Sequence, residues 1–293
     1  MNFFGIRDIT KDDIKEIFSL TDKYKNKSVD VLKNKSIGLL FEKPSTRTRL
    51  SFIVGIQQLG AHPIELHTQD LQLSRGEIIK DTAAVLNRYL DGLVLRVYNH
   101  NTILEFAKFF TKPIINALSN VEHPCQILAD VYTIIKAKRI LSLEKFNKIK
   151  FVYVGDANNV CMSWIYIAEM LNMNAYFIIP KRFQPSHLKV KNVVITDDLE
   201  FVKDADVIYT DVWVSMGQEK EASVRMKVFK KYQVNNVLLA KAKVDCSVMH
   251  CLPAKRGYEI TDDVLDGKNS IVLDQAENRL HVQKGLMAFL FKK

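Results

Sequence analysis

The segment that most restricts how this chain can fold runs from Ile37 to Gly60. Ile37-Gly-Leu-Leu-Phe41 is a short apolar run, the pattern of a buried strand. Leu50, Ile53, Val54 and Ile56 then recur at helical spacing until Gly60 stops the run. Between the two, Pro44 sets a turn and Ser45-Thr-Arg-Thr-Arg49 opens the helix. A helix start leaves backbone N–H groups unpaired and carries the positive end of the helix dipole. Ser45, Thr46 and Thr48 add hydroxyls, and Arg47 and Arg49 add two guanidinium forks. The combination suits one small, multiply charged anion, most simply a phosphate. Taken alone, the stretch also reads as an ordinary Ser/Thr cap followed by solvated arginines, so the rest of the chain has to decide.

The same order of strand, turn and helix returns along the sequence. Leu93-Val-Leu-Arg96 is an apolar run that ends in an arginine, which either pairs with a core carboxylate or faces a ligand crevice. Ile149 to Val154 leads into Gly155-Asp-Ala-Asn-Asn159 and a helix to about Leu171, the start of a doubly wound unit. The G-x-G-x-x-G of a dinucleotide site is absent from that loop. Val207-Ile-Tyr209 ends in Asp211-Val-Trp-Val-Ser-Met-Gly217, and Ser247 to Pro253 ends a further strand. Further strands are expected at 62–66, 113–116 and 175–179. Helices are expected after a Thr10/Asp13 cap, over 77–89 and 101–110, from His123 to about Ile140, and from Asp274.

Ser45, Arg96, Asp156, Asp211 and Cys251 all fall at or beyond the carboxyl ends of these strands, where open parallel sheets bind ligands. The expectation is an α/β protein of two doubly wound parallel-sheet domains with the active site in the cleft between them. One would span 1–135, joined by a C-terminal helix over 276–293, and the other 136–275. A length of 293 residues accommodates two such domains.

Composition excludes several classes. No apolar run approaches a membrane span, and the first twenty residues hold no secretory signal, so a cytoplasmic protein is expected. The four cysteines form no C-x-x-C pair, which argues against a disulfide framework or a zinc site. The net charge is +9, yet the lysines are spread thinly without an arginine-aromatic module. Attraction of anionic small molecules explains the sign better than nucleic acid does.

Six motifs in order, S-T-R-T-R (45–49), H-P-C-Q (123–126), G-D-A-N-N (155–159), D-V-W-V-S-M-G (211–217), H-C-L-P (250–253) and Q-A-E-N-R (275–279), resemble those of the aspartate and ornithine carbamoyltransferases. The resemblance covers essentially the whole chain. It implies that Ser45, Thr46, Arg47, Thr48, Gln72, Arg96, His123, Gln126, Cys251, Leu252 and Arg279 take part in binding carbamoyl phosphate. Gln72 would come from a loop lent by a neighbouring subunit, in a trimer or a multiple of trimers. Arg49 would brace the loop. Arg96, His123, Cys251 and Arg279 would be catalytic. Asn159, Asp211, Ser215 and Met216 would hold the amino-acid acceptor, with Asn158 a neighbour and His250 structural. The S-M-G and H-C-L-P signatures match the ornithine branch rather than the aspartate branch.

The implied reaction converts carbamoyl phosphate and L-ornithine to L-citrulline and phosphate by direct amine attack, in arginine metabolism and biosynthesis in the first place. It needs no cofactor and no metal, and no nucleic acid or membrane partner is implied. Putrescine or another amine as acceptor, aspartate as acceptor, and a catalytically silent homologue that binds carbamoyl phosphate are the rival readings. The basic segment over 180–192 is shorter than the helical insertion usual in the family.

Overall fold

The computed structural model describes residues 1–67, 69–186, 188, 190–215 and 219–292, and of Glu219 the backbone alone. The chain divides into two compact units: Met1–Tyr132 with Glu277–Lys293, and Thr133–Ala276.

The first unit opens with α1 (Lys11–Tyr24), started by the expected reciprocal cap. Asp13 donates its backbone N–H to Thr10 Oγ1 at 3.2 Å, and Thr10 donates its own N–H to Asp13 Oδ2 at 2.9 Å. The chain then alternates: β1 (Ser36–Phe41), α2 (Arg47–Gln58), β2 (His62–Leu66), α3 (Ile79–Tyr89), β3 (Gly92–Arg96), α4 (His100–Phe109), β4 (Ile114–Leu118) and α5 (Pro124–Ala137). The four strands form one parallel sheet in the order β2-β1-β3-β4. β3 and β4 are buried along their whole length, which is why their sequences are continuous apolar runs rather than alternating ones.

Strand order reverses between β1 and β3, and there Phe41 pairs with Arg96. A crevice at the carboxyl ends of two strands that diverge in this way is where open α/β sheets take ligands. The register also slips between Leu95 and Arg96 on the β4 side, so that Arg96 pairs with Leu118 and Ala117 is skipped. Such a bulge at a strand end re-aims the side chain beside it.

The second unit continues with β5 (Lys150–Val154), α6 (Asn159–Leu171), β6 (Asn174–Ile178), β7 (Val193–Thr196), β8 (Val207–Thr210), α7 (Ala222–Phe229), α8 (Asn236–Leu239), β9 (Ser247–His250) and α9 (Asp262–Leu265). Its five parallel strands run β7-β6-β5-β8-β9, with the reversal between β5 and β8. β7 is absent from the sequence expectation. It is a four-residue edge strand, Val-Val-Ile-Thr, whose residues favour strands but whose run is too short to show a periodicity, and no residue on it is buried. Stacked rings of Phe151, Trp164, Tyr153 and Tyr209 fill the core beneath β5 and β8.

Helix α10 (Val272–Leu290) contributes its residues from Glu277 onward to the first unit. Gly285 lets it approach α1: a Cβ there would collide with Thr21 Oγ1 and lie 2.6 Å from the Ile17 carbonyl oxygen. The buried Lys284 ammonium donates to the carbonyls of Tyr24 and Lys27 at 2.8 and 2.6 Å and to Gln58 Oε1 at 2.8 Å. Three acceptors satisfy its three protons, while desolvation lowers its pKa. Among the described residues, no helix is long and apolar enough to cross a membrane.

Candidate active site

In the first unit the loop after β1 is latched to the end of β3. The Glu42 N–H donates to the Arg96 carbonyl at 2.9 Å, and Glu42 Oε2 accepts the Tyr98 N–H at 2.7 Å. Helix α2 starts at Arg47 rather than Ser45. Thr46 is its N-cap in a helical conformation, and its side chain makes no cap hydrogen bond. The Thr46 side chain thus leaves the first-turn N–H groups uncapped. Ser45 and Arg47 are half-buried and Thr46 is exposed. Arg49 turns away toward β2, where its Nε and Nη2 pair with Glu65.

Thr48 is the junction of this unit. Its buried Oγ1 accepts from Arg279 Nη2 at 2.9 Å and, at the long distance of 3.4 Å, from Arg96 Nη1. With both lone pairs so engaged, the Thr48 hydroxyl has only its proton to offer a further partner. Arg279 also donates through Nη1 to Gln126 Oε1 and through Nε to Gln283 Oε1, the latter at 3.1 Å. Gln283 is held in turn by Ser51, its Nε2 donating to Ser51 Oγ at 2.9 Å.

Gln126 and His123 stand at the start of α5, with Pro124 in the first helical position where a missing N–H costs nothing. Burial, and after it the charges of Arg279 and Arg96, hold the His123 imidazole well below its usual pKa. It is thus a neutral hydrogen-bonding group beside two guanidinium ions. Cys125 points to the Asn116 carbonyl at 3.3 Å, and burial pushes its thiol up to about 12. Gln72 stands exposed on a single turn, Gln72–Arg75, outside the hydrogen bonds that join these residues.

In the second unit the two strand ends at the reversal each carry a carboxylate. Asp211, after β8, is held by three donors: Asn158 Nδ2 at 2.7 Å, the Val212 N–H at 2.8 Å and the Cys251 thiol at 3.1 Å. The thiol serves here as a donor to a carboxylate. Asn158 also caps α6, accepting the N–H groups of Val160 and Cys161, both at 3.0 Å. The residue expected as a bystander is therefore the one bonded to Asp211. Asn159 is half-buried beside it and accepts the Val160 N–H at 3.1 Å. Ser215 is half-buried on the loop after Asp211, and Met216 lies outside the described residues.

Asp156, after β5, forms a buried ion pair with Arg225 at 2.8 Å. Burial raises the Asp156 pKa, Arg225 pulls it down, and the Asp211 charge pushes it up again. Arg225 also donates to the Trp213 carbonyl at 3.2 Å and to Glu221 at 3.1 Å, and its guanidinium lies 4.6 Å from the Phe183 ring centre. Phe183 belongs to the 180–192 segment, so that segment packs against the Arg225 guanidinium. Arg225 was not singled out in the sequence. The one clue is that a buried Asp in a G-D turn needs a countercharge.

His250, Cys251 and Leu252 form the mouth of β9. The Leu252 N–H donates to His250 Nδ1 at 2.8 Å, so the ring proton sits on Nε2, which donates to Glu259 Oε1 at 3.0 Å. This brace holds Leu252 at φ +53°, a conformation costly for a branched side chain. The Asp211, His250 and Cys251 donor atoms lie within 4.8 Å of one another. Both His250 nitrogens are already engaged, and Cys251 already donates to Asp211, so the group offers a metal ion poor terms.

Both units are parallel-sheet α/β, with Arg96 and Arg279 joined on Thr48 in the first and Asp156 and Asp211 at the strand ends of the second. A family model described as aspartate/ornithine carbamoyltransferase, carbamoyl-P binding domain, matches residues 1–136, and its companion, the Asp/Orn binding domain, matches residues 147–290. An ornithine carbamoyltransferase of Archaeoglobus fulgidus is 48% identical over 305 aligned positions, covering 100% of this chain and 98% of its own. That of Methanocaldococcus jannaschii is 47% identical, covering 92% of each chain. The solved ornithine carbamoyltransferase from Pyrococcus furiosus superposes with a TM-score of 0.91 at 43% identity, covering 99% of this chain and 97% of that one. The chain belongs to the aspartate/ornithine carbamoyltransferase family.

Proposed function

We propose that this chain transfers the carbamoyl group of carbamoyl phosphate to the δ-amine of L-ornithine, giving L-citrulline and phosphate. The observation that carries the reading is the convergence of Arg96 and Arg279 on Thr48, next to a neutral His123 and to Gln126.

Ser45, Thr46 and Arg47 hold the phosphate at the start of α2. Arg96, Arg279, the Thr48 hydroxyl and His123 face the carbonyl oxygen, and Gln126 takes the carbamoyl amide. The δ-amine, whose lysine-like pKa is about 10.4, attacks as the free base. A C–N bond forms, the C–O bond to phosphate breaks, and the proton the amine gives up is taken by the departing phosphate. Charge that builds on the carbonyl oxygen is met by fixed donors, each worth ~10²–10³ in rate. The neutral state of His123 suits this task, because it donates a hydrogen bond without adding a third cation to the cradle.

Asp211 receives the α-ammonium of ornithine, with Asn159, Ser215 and Met216 completing the acceptor site. Cys251 orients the reacting δ-amine, and Leu252 contributes a backbone contact beside it. Arg225 neutralises Asp156, which leaves the Asp211 charge for the ammonium. Residues 1–135 with 276–293 thus act as the carbamoyl-phosphate domain and 136–275 as the ornithine domain.

The working form is a homotrimer or a multiple of one, in which Gln72 reaches a neighbour's phosphate. Leu50, Val54, Ile64, Val85 and Tyr89, apolar side chains left exposed on the first unit, support a subunit interface there. The protein serves arginine biosynthesis in the cytoplasm. The test is citrulline formation with ornithine, putrescine and aspartate offered in parallel. Ornithine is preferred if Asp211 plays its part, and a preference for putrescine defeats that assignment.

A further inference from the structure

Gln126 is an amide, and an amide can present either an oxygen or an NH₂ group to a ligand. Its orientation here is forced by its two neighbours. Nε2 lies 2.8 Å from Asp130 Oδ1, and Oε1 accepts from Arg279 Nη1. A carboxylate only accepts and a guanidinium only donates, so the reverse orientation would oppose like groups on both sides. Asp130 lies one helical turn beyond Gln126 on α5 and is wholly buried, as are Gln126 and Arg279 nearly so. Asp130 lies outside the H-P-C-Q motif.

We propose that Asp130 is a positioning residue that fixes substrate choice: by holding the Gln126 NH₂ group, it obliges the amide to present an oxygen to the cradle. The inference rests on the carbamoyl-phosphate reading above and adds to it. An oxygen with one lone pair on Arg279 and one to spare accepts a hydrogen bond from an acyl group bearing N–H, and repels one that offers only lone pairs. Carbamoyl phosphate carries an NH₂ group at that place. Acetyl phosphate carries a methyl group of similar size, which leaves the Gln126 oxygen buried without its ligand partner. When a ligand oxygen competes for Arg279, Asp130 is the group that still holds the amide in place.

The test is the ratio of dissociation constants for acetyl phosphate and carbamoyl phosphate, measured by competition on the full-length protein without ornithine. Inorganic phosphate serves as the probe of an intact cradle. In Asp130→Leu, which removes the acceptor, the preference for carbamoyl phosphate falls about 3- to 10-fold, the range of one buried neutral hydrogen bond. Asp130→Asn, which can still accept, gives an intermediate loss. Phosphate affinity stays within about twofold in both. In a Gln126→Ala background the Asp130 substitutions change the ratio no further, because the two residues act as one unit.

An unchanged ratio in Asp130→Leu, with Gln126→Ala lowering it, overturns the proposal. So does a parallel loss of phosphate affinity, which marks Asp130 as structural only. Discrimination between the two acyl phosphates without any citrulline formation leaves this inference standing and removes the acceptor assignment alone. No discrimination in the unaltered protein removes the inference.

Discussion

Thr48→Val exchanges one hydroxyl for a methyl group at nearly constant volume and tests the junction of the cradle. The Thr48 hydroxyl has two jobs in the proposed reaction. It holds Arg279 and Arg96, and it donates its proton to the carbonyl oxygen. The contact to Arg96 is 3.4 Å, near the outer limit of a hydrogen bond, so the 2.9 Å contact to Arg279 carries most of the positioning. Arg279 keeps Gln126 and Gln283 as acceptors, so the guanidinium is not stranded and the loss of stability should be about 1–2 kcal/mol.

The transition state loses more. One donor to the developing oxyanion is gone, which costs about 2.7–4 kcal/mol, or ~10²–10³ in turnover. The assay is citrulline formation at saturating ornithine, with a denaturant melt of the same sample. Thr48→Ser, which restores the hydroxyl, should recover most of the rate. If Thr48→Val turns over within threefold of the unaltered chain while its melt shifts as expected, Thr48 only supports the fold and the oxyanion assignment is wrong.

Arg225→Met leaves Asp156 buried without its countercharge and should destabilise the protein by about 3–5 kcal/mol in a denaturant melt, with Asp156→Asn in the same chain recovering a large part of it. His123 has a folded-state pKa well below 6.5, so as pH falls below that value the unfolded chain binds a proton that the folded chain refuses. Stability therefore drops as pH falls through this window, and His123→Asn should flatten the dependence of the urea midpoint between pH 7.5 and 5.5 relative to the unaltered chain. Gly285→Ala gains up to about 1 kcal/mol of helix propensity but drives a methyl group into Thr21, for a net loss of about 1–2 kcal/mol by thermal melt.

The parts of the site that could be read in the sequence are those encoded within one turn. The Ser45–Thr48 loop, the Thr10 cap and the Pro124 helix start each depend on a few adjacent residues, and each strand-end candidate announces itself where an apolar run stops. The parts that could not be read are pairs brought together by the fold. Arg225 meets Asp156 across two strand-to-helix connections, and Glu259 meets His250 beyond a turn with no motif of its own. Asp130 looks like one more polar residue in an amphipathic helix until the Gln126 amide beside it is seen to have no other orientation. Asn158 and Asn159 show the finest limit: both suit a helix start, and only the backbone direction after β5 decides that Asn158 turns to Asp211. β7 escaped because four residues of Val-Val-Ile-Thr are too few for a periodicity to show.

Carbamoyl transfer at Arg96 is tested by comparing citrulline production from carbamoyl phosphate and ornithine by the unaltered chain and by Arg96→Met. Steady turnover is expected of the first and a loss of ~10²-fold or more in the second, since the proposed reaction assigns Arg96, at the end of β3, to the carbonyl oxygen. Equal rates in the two proteins, or no citrulline from the unaltered chain, would contradict it.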